Sequence, residues 1–439
     1  GSTRGLPPRN TTKLAMPDVP NEPLDAVIIG GGPAGAVAGA YLARAGLRPL
    51  ILEKEKFPRF AIGESLLPCG NDILKDLGVW PELEQGGFLK KYGADFTSGK
   101  SERFNRYWFR NALGKNYEHT SQVERAAFDK ILLDRARGEG CKVMEEVCVS
   151  SVAEDERGFL TIGYDEANGS QTVKSRWLID ASGRCGVAGT HLKIPKVPTR
   201  DRKMIAVYGH FSGVRHNSGE AAGHTVIVRF KEGWFWFIPL SPDKTSVGAV
   251  VPPGLLRENG GNLERCFQQC VETTPDAKSR MAQAQSLQPL RATADYSWRF
   301  RSFAQNRVLL TGDAAGFVDP IFSSGVMLAM KSGRLAANLI QKAELEKRAL
   351  TSKECHAYTK EVSGWMSLYG RIIRSFYDRA GFEIFMHPLP YFQIPRSIGY
   401  LVGGRMELPL SQRLRIAAFG AICRLQRVLS IAPAIPSLR

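Results

Sequence analysis

The sequence predicts an α/β fold: a discontinuous, mostly parallel sheet flanked by helices, an inserted antiparallel β-sheet, and a mostly helical C-terminal portion. Three observations carry this. A β-branched run, a glycine-rich turn and a small-residue helix follow one another over 25–45. Two later apolar runs, 177–183 and 307–315, each end in a small-residue turn. Between them, 204–251 alternates β-formers with Gly and aromatic residues, and from Val326 the pattern turns helical.

The first unit is complete in itself. Residues 25–29 suit a strand buried on both faces. Gly30, Gly32 and Gly35 follow in GxGxxG spacing, 36–45 reads as a helix closed by Gly46, and a second strand ends at Glu53. In such a unit Gly30 permits the tight turn, Gly32 lets backbone N–H groups approach a pyrophosphate, and Gly35 lets the helix pack on the strand. Glu53 stands where an acid binds a ribose hydroxyl. The unit therefore reads as a Rossmann-like dinucleotide site. The parallel domain is expected over 24–94, 120–195 and 296–345, the β-rich substrate domain over 95–119 and 196–295, and the helical portion over 346–439. Residues 1–23, opening on the expression-scar pair Gly1 and Ser2, read as a disordered lead-in without a secretory signal.

Composition removes several function classes. With 43% hydrophobic residues in 439, the chain can bury a full-sized core, so disorder throughout is excluded. The uncharged run 26–43 holds five glycines and Pro33, which argues against a bilayer span. Eight cysteines form no CxxC pair and seven histidines no ligand spacing, so reduced thiols, a cytoplasmic setting and no metal are expected. Lys and Arg number 59 against 43 for Asp and Glu, an excess of 16, spread along the chain without a nucleic-acid-binding motif. That charge fits an anionic cofactor, a halide or an acidic partner better than nucleic acid.

Further motifs carry a family resemblance. The fingerprint, Asp180-Ala181-Ser182-Gly183 and Gly312-Asp313-Ala314-Ala315 together resemble the FAD-binding fold of the glutathione-reductase and hydroxybenzoate-hydroxylase type. Within it, the stretch 233–239 is similar to the WxWxIP signature of flavin-dependent halogenases, and 91–96 to the KxGxxF stretch around their lysine. Residues 57–59, 62–68 and 318–325 resemble the phenol and pyrrole type. The likeness covers roughly 25–348, leaves the C-terminal portion unmatched, and places Phe322 where tryptophan halogenases carry Glu, which points away from free tryptophan.

The resemblance implies FAD, used as FADH2, held by Gly30, Gly32, Ala34, Gly35, Glu53, Lys54, Arg59, Ser65, Arg125, Asp180, Gly312, Asp313 and Gly325. It implies O2 and chloride or bromide as co-substrates, and hypohalous acid delivered to Lys91 beside an electron-rich phenolic or pyrrolic acceptor, free or tethered to a carrier protein. Trp234, Trp236, Pro239, Pro320, Ser323 and Ser324 would form the halide site and the passage. Only one dinucleotide fingerprint exists, so a separate flavin reductase is implied. An FAD-dependent monooxygenase, or an oxidoreductase similar to geranylgeranyl reductases, is the rival reading.

The same residues have plainer readings. A lysine beside Lys90 is ordinarily a solvated charge, alternating tryptophans ordinarily pack a core, and Ser323 or Ser324 can simply cap a helix. In the tail, Leu414, Ala418, Ala421, Leu425, Val428 and Leu429 make an apolar stripe beside Arg413, Arg424 and Arg427. This basic helix either packs on the core or meets a carrier protein or an anionic membrane, which would make the enzyme peripheral to it.

Overall fold

A strand buried on both faces needs a nearly continuous apolar run, and Leu24–Ile29 supplies one. Its single charge, Asp25, accepts from the Arg48 N–H and from Arg176 Nη2, each at 2.7 Å. In the computed structural model, which describes residues 22–100, 104–198, 203–295, 298–387 and 393–438, this strand is central to the first sheet. It pairs in parallel with Pro49–Leu52 on one side and with the end of Gly169–Asp180 on the other. Lys142–Met144 and Val308–Leu310 extend the parallel run outward. Helices Pro33–Arg44, Arg125–Gly138 and Gly325–Leu345 pack over it. Apart from Glu22 and Pro23, the lead-in expected over 1–23 lies outside the described residues.

The second sheet draws on two separated stretches. Gly93–Thr97 and Phe104–Trp108 join Met204–Ser212, Thr225–Arg229, Trp234–Ser241, Lys244–Val251 and Arg291–Asp295. Its pairings are antiparallel except that of Thr225–Arg229 with Gly93–Thr97. Alternation divides the strand Trp234–Ser241 between two cores: Trp234, Trp236 and Ile238 face the main one, whereas Phe235 and Phe237 pack with Phe267 and Cys270 on the far side. A short strand, Leu89–Lys91, pairs antiparallel with Thr120–Gln122 and brings Lys91 to the flank of this sheet.

Among the described residues, four α-helices follow Gly325–Leu345: Ser352–Tyr377, Arg379–Met386, Ile394–Val402 and Leu410–Leu429. A capping box of Thr351 and Glu354 starts the first. The last does not pack as its apolar periodicity proposes. Ile416, Phe419 and Cys423 face inward, while Leu414, Leu425, Val428 and Leu429 are exposed. All eight cysteines are free, and among the described residues no side-chain cluster has metal-holding geometry. Among them, too, no helix is long and apolar enough to cross a membrane.

Candidate active site

Three glycines shape one end of a cavity of about 510 Å³. Gly30 has φ +97°, and a side chain there would stand 2.4 Å from the Ala181 carbonyl oxygen. A Cβ at Gly35 would meet the Gly30 carbonyl oxygen at 1.9 Å, so this glycine serves close helix–strand packing. Gly32 differs: the nearest atom to its Cβ position is the end of Arg59, at 3.4 Å, and the space beyond is the cavity. No side chain caps the helix Pro33–Arg44, whose first N–H groups are left for an anion. Glu53 closes this end. Its Oε2 accepts from the Gly31 N–H at 2.6 Å and its Oε1 from the Glu55 N–H at 2.8 Å.

Midway, Arg59 and Arg125 are gathered by one carboxylate. Arg125 Nε and Nη2 donate to the two oxygens of Asp129 at 2.7 and 2.8 Å, and Arg59 Nη1 lies 3.0 Å from Asp129 Oδ2. Asp313 faces the arginines across the cavity, and burial pushes its carboxyl up to about 6. A ligand hydroxyl would satisfy it. An uncapped helix start, a carboxylate at the end of the second strand and a desolvated aspartate along one channel fit FAD.

The other end is walled by Trp234 and Trp236, with ring centroids 5.9 Å apart. Their indole N–H groups are spent on Tyr377 Oη at 2.7 Å and Ser246 Oγ at 3.1 Å, so ring surface faces the cavity. Gly248 on the next strand makes this possible, since a Cβ there would stand 2.2 Å from the Trp236 ring. Ser323 has φ +56° and leads into the helix Gly325–Leu345, which begins without a side-chain cap; Ser323, Gly325 and Val326 line the cavity. Its free N–H groups offer a second anion position.

Lys91 lies one hydroxyl behind this wall. It is 1% exposed, unlike the exposed Lys90, and burial lowers its amine to about 7. Nζ donates to Ser65 Oγ at 2.7 Å and to the Leu66 carbonyl at 3.0 Å. Ser65 Oγ shares a 2.7 Å hydrogen bond with Thr225 Oγ1, which accepts from Gln122 Nε2 at 2.8 Å. Ser65 and Thr225 line the cavity; Lys91 does not. The ring of Phe109, 5.4 Å away, covers another side of the amine.

Gly30, Gly32, Ala34, Glu53, Lys54, Arg59, Ser65, Arg125, Gly312, Asp313, Gly325, Trp234, Trp236, Pro320 and Ser323 thus meet along one cavity. Asp180 does not reach it. Its oxygens accept from the N–H groups of Ser182 at 3.0 Å and Ala188 at 2.7 Å, tying the strand end to the following helix, so it is a loop-holding residue. Pro239 and Ser324 also stand outside the lining, and Ser324 Oγ is buried without a partner. Sequence reasoning missed Asp129, Thr225, Gln122 and Tyr377. Only Asp129 left a trace, four residues after Arg125 on one helix face.

A family model described as "FAD binding domain" matches residues 23–360. A 1H-pyrrole-2-carbonyl-[peptidyl-carrier protein] chlorinase of Pseudomonas fluorescens is 32% identical over 342 residues, 73% of this chain and 76% of that protein. A tryptophan 2-halogenase of Chondromyces crocatus is 32% identical over 357 residues, 80% of this chain and 67% of that one, although Phe322 stands where a Glu was expected of such enzymes. The solved structure of the flavin-dependent brominase Bmp2 superposes with a TM-score of 0.83 at 28% identity, covering 92% of this chain and 100% of that one. With a cavity that fits the flavin dinucleotide and relatives of this extent, the chain belongs to the flavin-dependent halogenases and is an FAD-dependent halogenating oxidoreductase.

Proposed function

We propose that the enzyme uses reduced FAD, O2 and chloride or bromide to halogenate an electron-rich phenol or pyrrole, free or tethered to a carrier protein, with Lys91 as the catalytic residue. The carrier-bound pyrrole of the Pseudomonas relative supports the acceptor class. FADH2 comes from a separate reductase, since a single dinucleotide fingerprint serves the whole chain. One observation carries the reading: a fully buried amine stands one hydroxyl behind the aromatic end of the cofactor cavity.

Bound FAD in its reduced form supplies the oxygen chemistry that converts halide into hypohalous acid. The chain does the rest. The uncapped start of Gly325–Leu345 holds the halide, and the faces of Trp234 and Trp236 keep bulk water and acceptor from the flavin end. Lys91 must be neutral to react, because an ammonium has no lone pair. Burial provides this, and the proton leaves from Nζ through Ser65 Oγ to Thr225 Oγ1 at the cavity wall. The neutral amine then takes the halogen: an N–X bond forms, the O–X bond of hypohalous acid breaks, and water departs. Transfer to the ring restores N–H with the proton that the ring gives up.

The test is a split between two assays of Lys91→Met, which keeps the volume and removes the amine. FAD binding and FADH2 oxidation by O2 should stay within about twofold, while halogenated product falls by about a thousandfold or more. Undiminished halogenation would remove Lys91 from the reaction. A wild type that consumes NADPH unaided and halogenates no phenol or pyrrole would point to the monooxygenase or reductase chemistry instead.

A further inference from the structure

The last helix, Leu410–Leu429, buries Ile416, Phe419 and Cys423 and yet exposes a second apolar stripe. Two glutamines lie on its buried face. Gln412 Oε1 accepts from Ser397 Oγ at 2.6 Å, and Gln426 donates to Glu383 Oε2 and to the Ala432 carbonyl, both at 2.9 Å. The opposite face carries Leu410 at 72% exposure, Leu414 at 61%, Leu425 at 48% and Val428 at 81%. At roughly 100° per residue these four fall within about 60° of one another, with Ala421 among them. Nine large apolar side chains are exposed among the described residues, and six of them lie between Leu410 and Ile431. Scattered single leucines need no account; this concentration does.

Charge says what the face meets. Arg413, Arg424 and Arg427 flank the stripe on one side and Arg415 on the other, and no Asp or Glu occurs after Glu407. Arg413, Arg415 and Arg424 form no ion pair with a carboxylate among the described residues, so their charge is free for an external anion. The stripe is a convex aliphatic ridge about 30 Å long, without the aromatic anchors on which protein interfaces concentrate their energy. An aliphatic face bordered by arginines along both flanks matches a helix lying in a bilayer interface. The chain's net charge of +16 would orient it toward a negative surface.

We propose that this face docks the enzyme on an anionic lipid bilayer, its aliphatic ridge entering the boundary between headgroups and acyl chains and its arginines pairing with lipid phosphates. The inference is independent of how Lys91 acts. Co-sedimentation of the full chain with vesicles tests it. Vesicles containing phosphatidylglycerol should bind the protein, pure phosphatidylcholine vesicles at least about tenfold less, and added salt should release it. Leu414→Glu with Val428→Glu should abolish binding, and Arg413→Glu with Arg424→Glu should weaken it by at least about tenfold. All four positions are exposed, so FADH2 oxidation should not change, and the thermal midpoint should fall by no more than the loss of the hydrogen bond from Arg413 Nε to the Leu408 carbonyl accounts for. Absent binding, or equal binding to both vesicle types, overturns the proposal. So does a wild-type dimer that the leucine and valine substitutions split, since a second copy would then cover the ridge. Binding to an acidic carrier protein that the same substitutions abolish, without vesicle binding, overturns it too.

Discussion

The two ends of the cavity are built by opposite means. At the dinucleotide end the backbone does the work: Gly30, Gly32 and Gly35 bend, open and pack the chain, and the first N–H groups of Pro33–Arg44 are left for an anion. At the lysine end the side chains do it. Lys91, Ser65, Thr225 and Gln122 come from four distant segments and meet only in the folded chain. A backbone-built site tolerates change in most side chains and fails at single glycines. A site built from buried polar groups fails when any member leaves another unsatisfied.

The largest break should come at the first end, and it should separate two glycines. Gly35→Val places a Cβ 1.9 Å from a backbone carbonyl that cannot move aside, so no folded protein is expected. Gly32→Val meets only the tip of a flexible arginine and otherwise fills the cavity. It should purify folded, with a normal far-UV spectrum and without flavin absorbance. Stoichiometric FAD in Gly32→Val would deny that this glycine admits the pyrophosphate.

The same contrast explains what the sequence made legible. A glycine at positive φ or at a closed approach is irreplaceable, so the fingerprint shows in the chain as spacing. The tryptophan strand is readable because alternation assigns Trp234 and Trp236 to one face. Nothing in one dimension ties Ser65 to Thr225, 160 residues on. Asp180 misleads for a physical reason. An acid at the carboxyl end of a parallel strand has the position of a ligand-binding group, yet Asp180 stands behind the cavity lining, tied to the start of the following helix. The last helix misleads similarly, because Ile416, Phe419 and Cys423 form its buried face together with two glutamines that Ser397, Glu383 and Ala432 satisfy, which leaves the leucines outward.

At the lysine end the next effect is smaller. Ser65→Ala removes one of the two acceptors on Lys91 Nζ and cuts the path to Thr225, while the cavity lining at Gly30, Gly32 and Glu53 stays in place. FADH2 oxidation should continue unchanged and product per FADH2 consumed should fall by roughly a hundredfold, the range of a lost proton-transfer group. The midpoint of its pH profile should lie below that of the wild type, since an ammonium with one acceptor fewer is harder to keep protonated. A coupling ratio equal to the wild type's would leave Ser65 a mere neighbour.

The smallest effect is a slope, and its sign follows from burial. Lys91 has its amine lowered to about 7 from the ordinary 10.5 by desolvation. If the neutral amine reacts, product per FADH2 should level off above about pH 8, fall about fivefold from pH 7 to pH 6, and approach a tenfold fall per unit below that. The unfolded chain binds this proton up to about pH 10.5 and the folded chain only up to about pH 7, so between those values the unfolded state holds more protons. Stability due to Lys91 therefore rises with pH through that window, by at most about 1.4 kcal/mol per unit, and the burden is greatest below pH 7. Lys91→Met, which has no such proton, should unfold at a higher temperature than the wild type at pH 6, with the gap closing toward pH 10. The two curves separate cause from consequence. A coupling ratio that falls as pH rises would make the ammonium the working form, whereas a stability gap independent of pH would mean that Lys91 is not desolvated and that the two ends of the cavity are less unlike than their geometry indicates.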